Sequence, residues 1–269
     1  MLNKNENNIP SIVKNLFSKN IRNIRYERKV KIQLNQSDLF QGTLESMGMI
    51  EAFKPRNISS IYFDDNSYSC ARANLNGDRY RFKTRVRWYN NVLPANLEIK
   101  FKDGYSSFKL VESIKEKELP LLNKKLNVNI LNFVKDYLLN SYNLNFSFKN
   151  TKIDFLRKYY VSSNGIRVTI DTSLQCAFFE NLSLGPITFL PFELIEFKYP
   201  SNLDIYFREN FLNNFSIFPL RFTKCSKYTE SILALQRNLW LICDSNLAKQ
   251  NATIFNIYKK SHNHFHCNS

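Results

Sequence analysis

Residues 81–89, RFKTRVRWY, carry a cation at every second position: Arg81, Lys83, Arg85 and Arg87 alternate with Phe82, Thr84, Val86 and Trp88. Successive side chains of a strand point to opposite sides, so this segment reads as a strand with one cationic and one apolar face. Helical spacing would scatter the same cations around the axis. At an effective dielectric near 20, two like charges about 4 Å apart repel by on the order of 4 kcal/mol. Such a row is stable beside a polyanion or in open water.

Four more segments repeat the pattern. In residues 26–34, Glu27, Lys29 and Lys31 oppose Tyr26, Val30, Ile32 and Leu34, with Arg28 the exception. Glu98, Lys100 and Lys102 oppose Leu97, Ile99 and Phe101 in residues 97–102. In residues 166–172, Arg167, Thr169 and Asp171 share a face; in 194–199, Glu196 and Lys198 do. Together the polar faces hold ten Lys or Arg against four acids, more one-sided than a solvated sheet face requires. A sheet closed around them would form a basic tunnel with an apolar outside wrapped by helices, and closure would remove its edges.

Composition narrows the partner. The chain of 269 residues has a net charge of +15, which suggests a polyanion: nucleic acid, anionic lipid or a phosphate-rich ligand. With 43% apolar and 14% aromatic residues it can bury a sizeable core and is not intrinsically disordered. Six Gly and eight Pro exclude a low-complexity chain. The most apolar stretch, residues 187–197, is too short to span a bilayer, and the polar start has no secretory core segment. Five cysteines without CxxC spacing suit free thiols in a reducing cytoplasm. The expected organisation is a polar lead-in over 1–20, one domain over 21–245 and a tail over 246–269. Apolar spacing predicts core-packing helices over 37–47, 128–142, 203–211 and 228–242, with Ser37 and Ser226 as N-caps.

Two other features have plainer readings. His262, His264, His266 and Cys267 could chelate a metal, but their place near the terminus makes them incidental. Asp64 and Asp65 follow a strand pattern, where acids form turns.

In these segments the sequence resembles the polyphosphate polymerase domain of the vacuolar transporter chaperone (VTC) type, within the CYTH-like triphosphate tunnel metalloenzyme superfamily. The resemblance is carried by YERK (26–29), SIYFDDNSY (60–68), RVRWY (85–89), LEIK (97–100), RKYYVSSNGIRVTIDT (157–172), LIEFKY (194–199) and FPLRFTKCSKY (218–228), in the family's order. It implies an α+β fold: a closed eight-stranded antiparallel β-barrel with peripheral α-helices. It also implies metal-dependent transfer of the terminal phosphoryl of a nucleoside triphosphate, ATP by expectation, onto a polyphosphate chain. The catalytic set it implies is Arg85, Arg87, Lys100, Arg157, Arg167 and Glu196. Phosphate contacts extend to Lys29, Lys31, Lys83, Lys102, Lys198, Arg221, Lys224 and Lys227. Mn²⁺ or Mg²⁺ would sit on Glu196, with Glu27, Glu98 and Asp171 as further candidates.

The residue types suit that chemistry, because phosphoryl transfer needs positioning and charge neutralisation more than covalent help. Hydrolytic members of the superfamily carry Glu-x-Glu-x-Lys on the first strand. Here Glu27-x-Lys29-x-Lys31 replaces one acid by a cation, which favours polyanion binding over a two-metal hydrolase. Asn90-Asn91 stands where Gly is expected after RVRWY, a change confined to the turn. The alternatives are a triphosphatase on the same tunnel and a non-catalytic polyanion binder. Nucleic acid is not the expected partner, since no RNA-binding motif is present. A membrane-bound partner protein is compatible with the resemblance.

Overall fold

The computed structural model describes residues 25–90, 92–104, 106–114, 134, 136–140, 149–180, 183–215 and 220–242. Its main strands are β1 (Arg25–Ile32), β2 (Ile50–Asp64), β3 (Tyr80–Tyr89), β4 (Val92–Asp103), β5 (Ser106–Ile114), β6 (Lys149–Val161), β7 (Arg167–Glu180) and β10 (Glu193–Pro200). The short β8 (Ser183–Leu184) and β9 (Thr188–Phe189) pair with β7. The helices are α1 (Ser37–Ser46), α2 (Ser69–Asn76) and α3 (Lys227–Ile242), with a mixed 3-10, α and π segment over 201–215. All five segments read from the alternation lie in strands; β1, β3 and β10 keep within two residues of their expected bounds, while β4 begins five residues earlier and β7 ends eight residues later than expected.

The sheet runs β1-β10-β7-β6-β2-β3-β4-β5, and its main ladders are antiparallel. It is mostly antiparallel sheet with a few helices, but it is not the closed barrel expected. Among the described residues no ladder joins β1 to β5. What crosses the gap is side-chain contact: Lys100 Nζ on β4 lies 3.4 Å from Glu27 Oε2 on β1. The curl is consistent with a tunnel fold. Strand alternation specifies faces but not which edges meet, so closure was beyond the pattern. The free edge of β1 is partly covered: Phe222 bridges to Val30, and Thr223 N–H donates to the Lys29 carbonyl at 2.8 Å.

Two cores flank the sheet. One joins Val30, Ile32, Ile170, Ile195 and Phe197 to α1 and residues 201–215. Phe40 of α1 stacks on Phe215 at 4.8 Å, and both are fully buried. Burying one such ring stabilises by about 1.5–3 kcal/mol, so aromatic packing holds this helical layer on the sheet. Arg28, the exception on the apolar face, is satisfied there by Asp204 (3.0 Å) and the Tyr199 hydroxyl (2.5 Å).

The second core brings α3 against β2, β6 and β7. Tyr228 stacks on Tyr62 at 4.9 Å and 9°, and the Cys176 thiol approaches the Ser231 carbonyl. Tyr62 shares a sheet face with Arg85, its register partner, so α3 covers part of the basic side. Contrary to the expectation, the helices therefore do not all wrap the outside. The polar face turns apolar at Tyr62, Ile153 and Cys176, and such a patch needs a cover. A bulge permits this: Arg157 pairs with Asp171 but Ile153 pairs with Cys176, with Ser173 between them at φ 52°.

Ser226 caps α3 as expected, its Oγ accepting from Thr229 N–H at 3.4 Å. Ser37 is not a cap: Gln36 precedes α1 without a side-chain cap bond, and Ser37 instead donates its N–H and hydroxyl to Glu193. A buried carboxylate is the stronger acceptor. Asn90 adopts φ 51°, which Asn tolerates, and Asn57 donates its N–H to Asn90 Oδ1. Residues 203–211 lie in the mixed helical segment. The expected helix over 128–142 lies mostly outside the described residues, as do the lead-in over 1–20 and the His-rich tail. Cys70, Cys176 and Cys225 are free and buried. Among the described residues no helix is long and apolar enough to cross a membrane.

Candidate functional site

Register brings the charged faces together. Lys29 pairs with Glu196, and Glu196 with Thr169; Glu27 pairs with Lys198, and Lys198 with Arg167. On the other half, Arg85 pairs with Glu98, Lys83 with Lys100, and Arg81 with Lys102. Curling of the sheet then sets the halves against each other, as the Lys100–Glu27 contact shows.

Four acids organise most of the cations. Asp171, fully buried, accepts from Arg157 Nε and Nη2 at 2.5 and 2.7 Å and also meets Lys227 from the first turn of α3. Glu98 accepts from Arg85 at 2.6 Å and from Lys109 at 2.6 Å. Glu196 lies 2.5 Å from Lys198 and 3.9 Å from Lys29. Glu27 lies 2.8 Å from Lys29. Lys31 is paired to the side, with Glu230 of α3 at 2.6 Å.

Among the described residues the remaining cations of this face have no acid. Among the described residues Lys83, Arg87 and Lys102 form no ion pair. Lys83 Nζ donates to Ser226 Oγ at 2.7 Å, and Arg87, 7% exposed, donates to Ser60 Oγ at 3.0 Å. Arg167 is exposed at the start of β7, and Arg221 and Lys224 are exposed on the segment bridging to β1. Burying a cation such as Arg87 without counter-charge is costly, and an anion on this face would offset that cost.

Ionisation follows the same division. Burial and Glu196 push the Glu27 carboxyl up, but Lys29, Lys100 and Lys198 outweigh them and bring it to about 2. Burial raises Glu98 too, and Arg85, Arg87 and Lys109 overcome it, again to about 2. Glu196 is held well below the carboxylate range because Lys29, Lys198, Arg157 and Lys227 outweigh its burial. Lys83 moves the other way: burial, then Lys29, Lys100, Arg81 and Arg85, push it well below the usual lysine value.

Among the described residues no three His, Cys, Asp or Glu side chains cluster as a ready metal site. Mg²⁺ and Mn²⁺ do not need one, since a carboxylate or two with phosphate oxygens and water complete the shell. Glu196 and Glu27, both reaching Lys29, supply a donor set that fits one such ion when phosphate brings the other oxygens.

The sequence profile of the VTC domain matches residues 24–236. The chain belongs to the VTC domain family. No curated protein matches the chain. Solved structures similar to this VTC domain include a candidate adenylyl cyclase from Hippeastrum, described as having a dominant triphosphatase activity. It is 13% identical, covers 78% of this chain and 97% of its own, and has a TM-score of 0.46. A candidate adenylate cyclase from Bacillus halodurans is 13% identical, with 74% and 93% covered and a TM-score of 0.45. An inorganic triphosphatase is 13% identical, with 79% and 95% covered and a TM-score of 0.29.

Sequence reading missed four members of this VTC domain's polar face. Lys109 shares its face with apolar Val111, so residues 107–111 lack the charged alternation. Tyr62, whose hydroxyl accepts from Arg85 at 2.6 Å, hides in an apolar run. Ser226 was legible as a cap but not as the Lys83 acceptor. Glu230 meets Lys31 only because α3 folds against the sheet.

Proposed function

We propose that this VTC domain is a polyphosphate polymerase-type phosphotransferase acting on a nucleoside triphosphate, with ATP as the expected donor. The observation that carries it is the pair of cations without acidic partners among the described residues, half-buried Lys83 and buried Arg87, beside Arg85, Lys100, Arg157 and Lys227. Triphosphate oxygens supply the missing counter-charge. Arg85, Arg87 and Arg157 grip them with planar forks, and the lysines add point charges. In the transfer, a chain-end phosphate oxygen bonds to the terminal phosphorus. The bond from that phosphorus to the bridging oxygen breaks, and the nucleoside diphosphate leaves with the electron pair. Glu196 with Glu27 would hold a Mn²⁺ or Mg²⁺, which would supply charge neutralisation at the transferred group. Glu98 and Asp171 serve as positioning residues, each locked between two cations.

Lys29 supports transfer over hydrolysis, because its ammonium lies between Glu27 and Glu196 and leaves room there for one cation fewer. A triphosphatase is the second reading. The exposure of Lys100 (46%) beside Glu27 favours it, since water reaches the polar face there. The deciding experiment incubates the protein with ATP, Mn²⁺ and a tripolyphosphate primer and resolves products on a polyphosphate gel. A ladder lost in Arg85→Ala and Glu196→Gln is the expected result. Phosphate release without a ladder would transfer the site to hydrolysis. Binding without turnover would leave a polyanion-binding protein.

A further inference from the structure

Where β2 enters the sheet, its side chains break from the charged pattern. Phe53 is 54% exposed, and its ring meets the Tyr159 ring of β6 edge-on at 5.6 Å and 83°. The Arg56 guanidinium lies 5.0 Å from the centre of the Phe53 ring and 5.8 Å from that of Tyr159. Among the described residues Arg56 forms no ion pair. Two register shifts flank Phe53, one before it and one before Arg56. Such irregularities re-aim side chains, so this group is set by the backbone rather than by chance of sequence.

The cluster adjoins the phosphate-binding face. Arg56 is the register partner of Arg157, which Asp171 holds. Tyr159 lies two residues beyond Arg157 on the same face of β6, about 7 Å along the strand. Tyr159 is also the register partner of Thr169, itself the partner of Glu196. A polyphosphate chain has no apolar surface and gains nothing from exposed aromatic rings. A nucleotide has both: phosphates for the cations and a base whose faces stack on rings and on a guanidinium plane.

We propose that Phe53, Arg56 and Tyr159 form a nucleobase platform at the rim of the basic face. It rests on the nucleoside triphosphate reading above and adds direction to it. The base stays at the rim on Phe53 and Tyr159, the ribose spans to Arg157, and the terminal phosphate lies deepest, toward Arg87 and Lys83. The platform distinguishes a nucleoside triphosphate from an inorganic one by contacts that only the former can make.

The test compares ATP with tripolyphosphate by titration calorimetry on the wild type, Phe53→Ala and Phe53→Trp. Phe53 is exposed, so neither change opens a cavity. Expected is about a tenfold weaker ATP affinity in Phe53→Ala, with tripolyphosphate affinity held within about twofold. In Phe53→Trp, ATP should quench the new indole fluorescence and tripolyphosphate should not. Equal losses for both ligands, or none for either, would overturn the platform while leaving the phosphate face intact. A wild type that binds neither ligand would overturn the phosphate reading and the platform with it.

Discussion

Lys83 and Lys29 are both lysines on the polar face, yet their surroundings drive them apart. Lys29 is held charged: burial disfavours its ammonium, but Glu196 and Glu27 outweigh that and raise it above the usual lysine value. Among the described residues Lys83 has only the Ser226 hydroxyl, and burial with four neighbouring cations lowers it. An arriving triphosphate favours the charged form and raises Lys83 again. Binding should therefore take up a proton at pH above the depressed Lys83 value, and affinity should fall as pH rises through it. Calorimetry in two buffers of different ionisation enthalpy measures that uptake. Lys83→Met should abolish it and weaken tripolyphosphate by about tenfold, as expected for one lost charged hydrogen bond. Unchanged proton uptake in Lys83→Met would mean that another group titrates. Arg87 has the same lack of acid but cannot lose its proton, so it contributes affinity without this slope.

The junction of β2, α2 and α3 is organised by Asp64, the last residue of β2. Its Oδ1 accepts from Cys70 N–H and its Oδ2 from Ala71 N–H, both at 3.0 Å, tying down the first turn of α2. The Tyr228 hydroxyl donates to the same Oδ2 at 2.7 Å and fixes α3. Asp65 completes the turn by accepting from Ser67 and Ser69 N–H, so these acids are turn formers as their position implied. Tyr228→Phe should lower stability by about 1–3 kcal/mol, read as a lower denaturation midpoint at constant slope. An unmoved midpoint would mean that Asp64 finds another donor. This junction also marks how far the sequence was legible. Alternation gave the strands and faces, because period two is local and each of residues 81–88 obeys it. It could not place α3 over Tyr62, because the contact joins segments more than 160 residues apart. Nor could it find Phe53 and Arg56, whose geometry depends on register shifts that no residue type announces. Arg167 fitted the alternation and yet lies exposed, because it begins its strand at the rim.

Across the whole molecule, an excess of cations is held on one polar face by few carboxylates, in a chain of net charge +15. That makes the fold acid-sensitive in a defined window. Glu27 and Glu98 fall from 4.5 to about 2 on folding, so the folded state binds fewer protons than the unfolded chain. Their contribution is fully present above about 4.5 and is lost as pH falls through about 2. Glu196 and Asp171 shift in the same direction and add to the slope. Once these carboxylates are protonated, Arg85, Lys109, Lys29 and Arg157 repel without compensation. Tripolyphosphate remains anionic over much of that window and can replace the lost counter-charge. Far-UV circular dichroism against pH should therefore show acid unfolding that tripolyphosphate shifts to lower pH. Glu98→Gln should be less stable at neutral pH, because Arg85 and Lys109 lose their shared partner, and its acid curve should be flatter. Superimposed acid curves for wild type and Glu98→Gln would show that the polar face does not govern acid stability. A curve that tripolyphosphate does not move would show that the same cations do not receive phosphate.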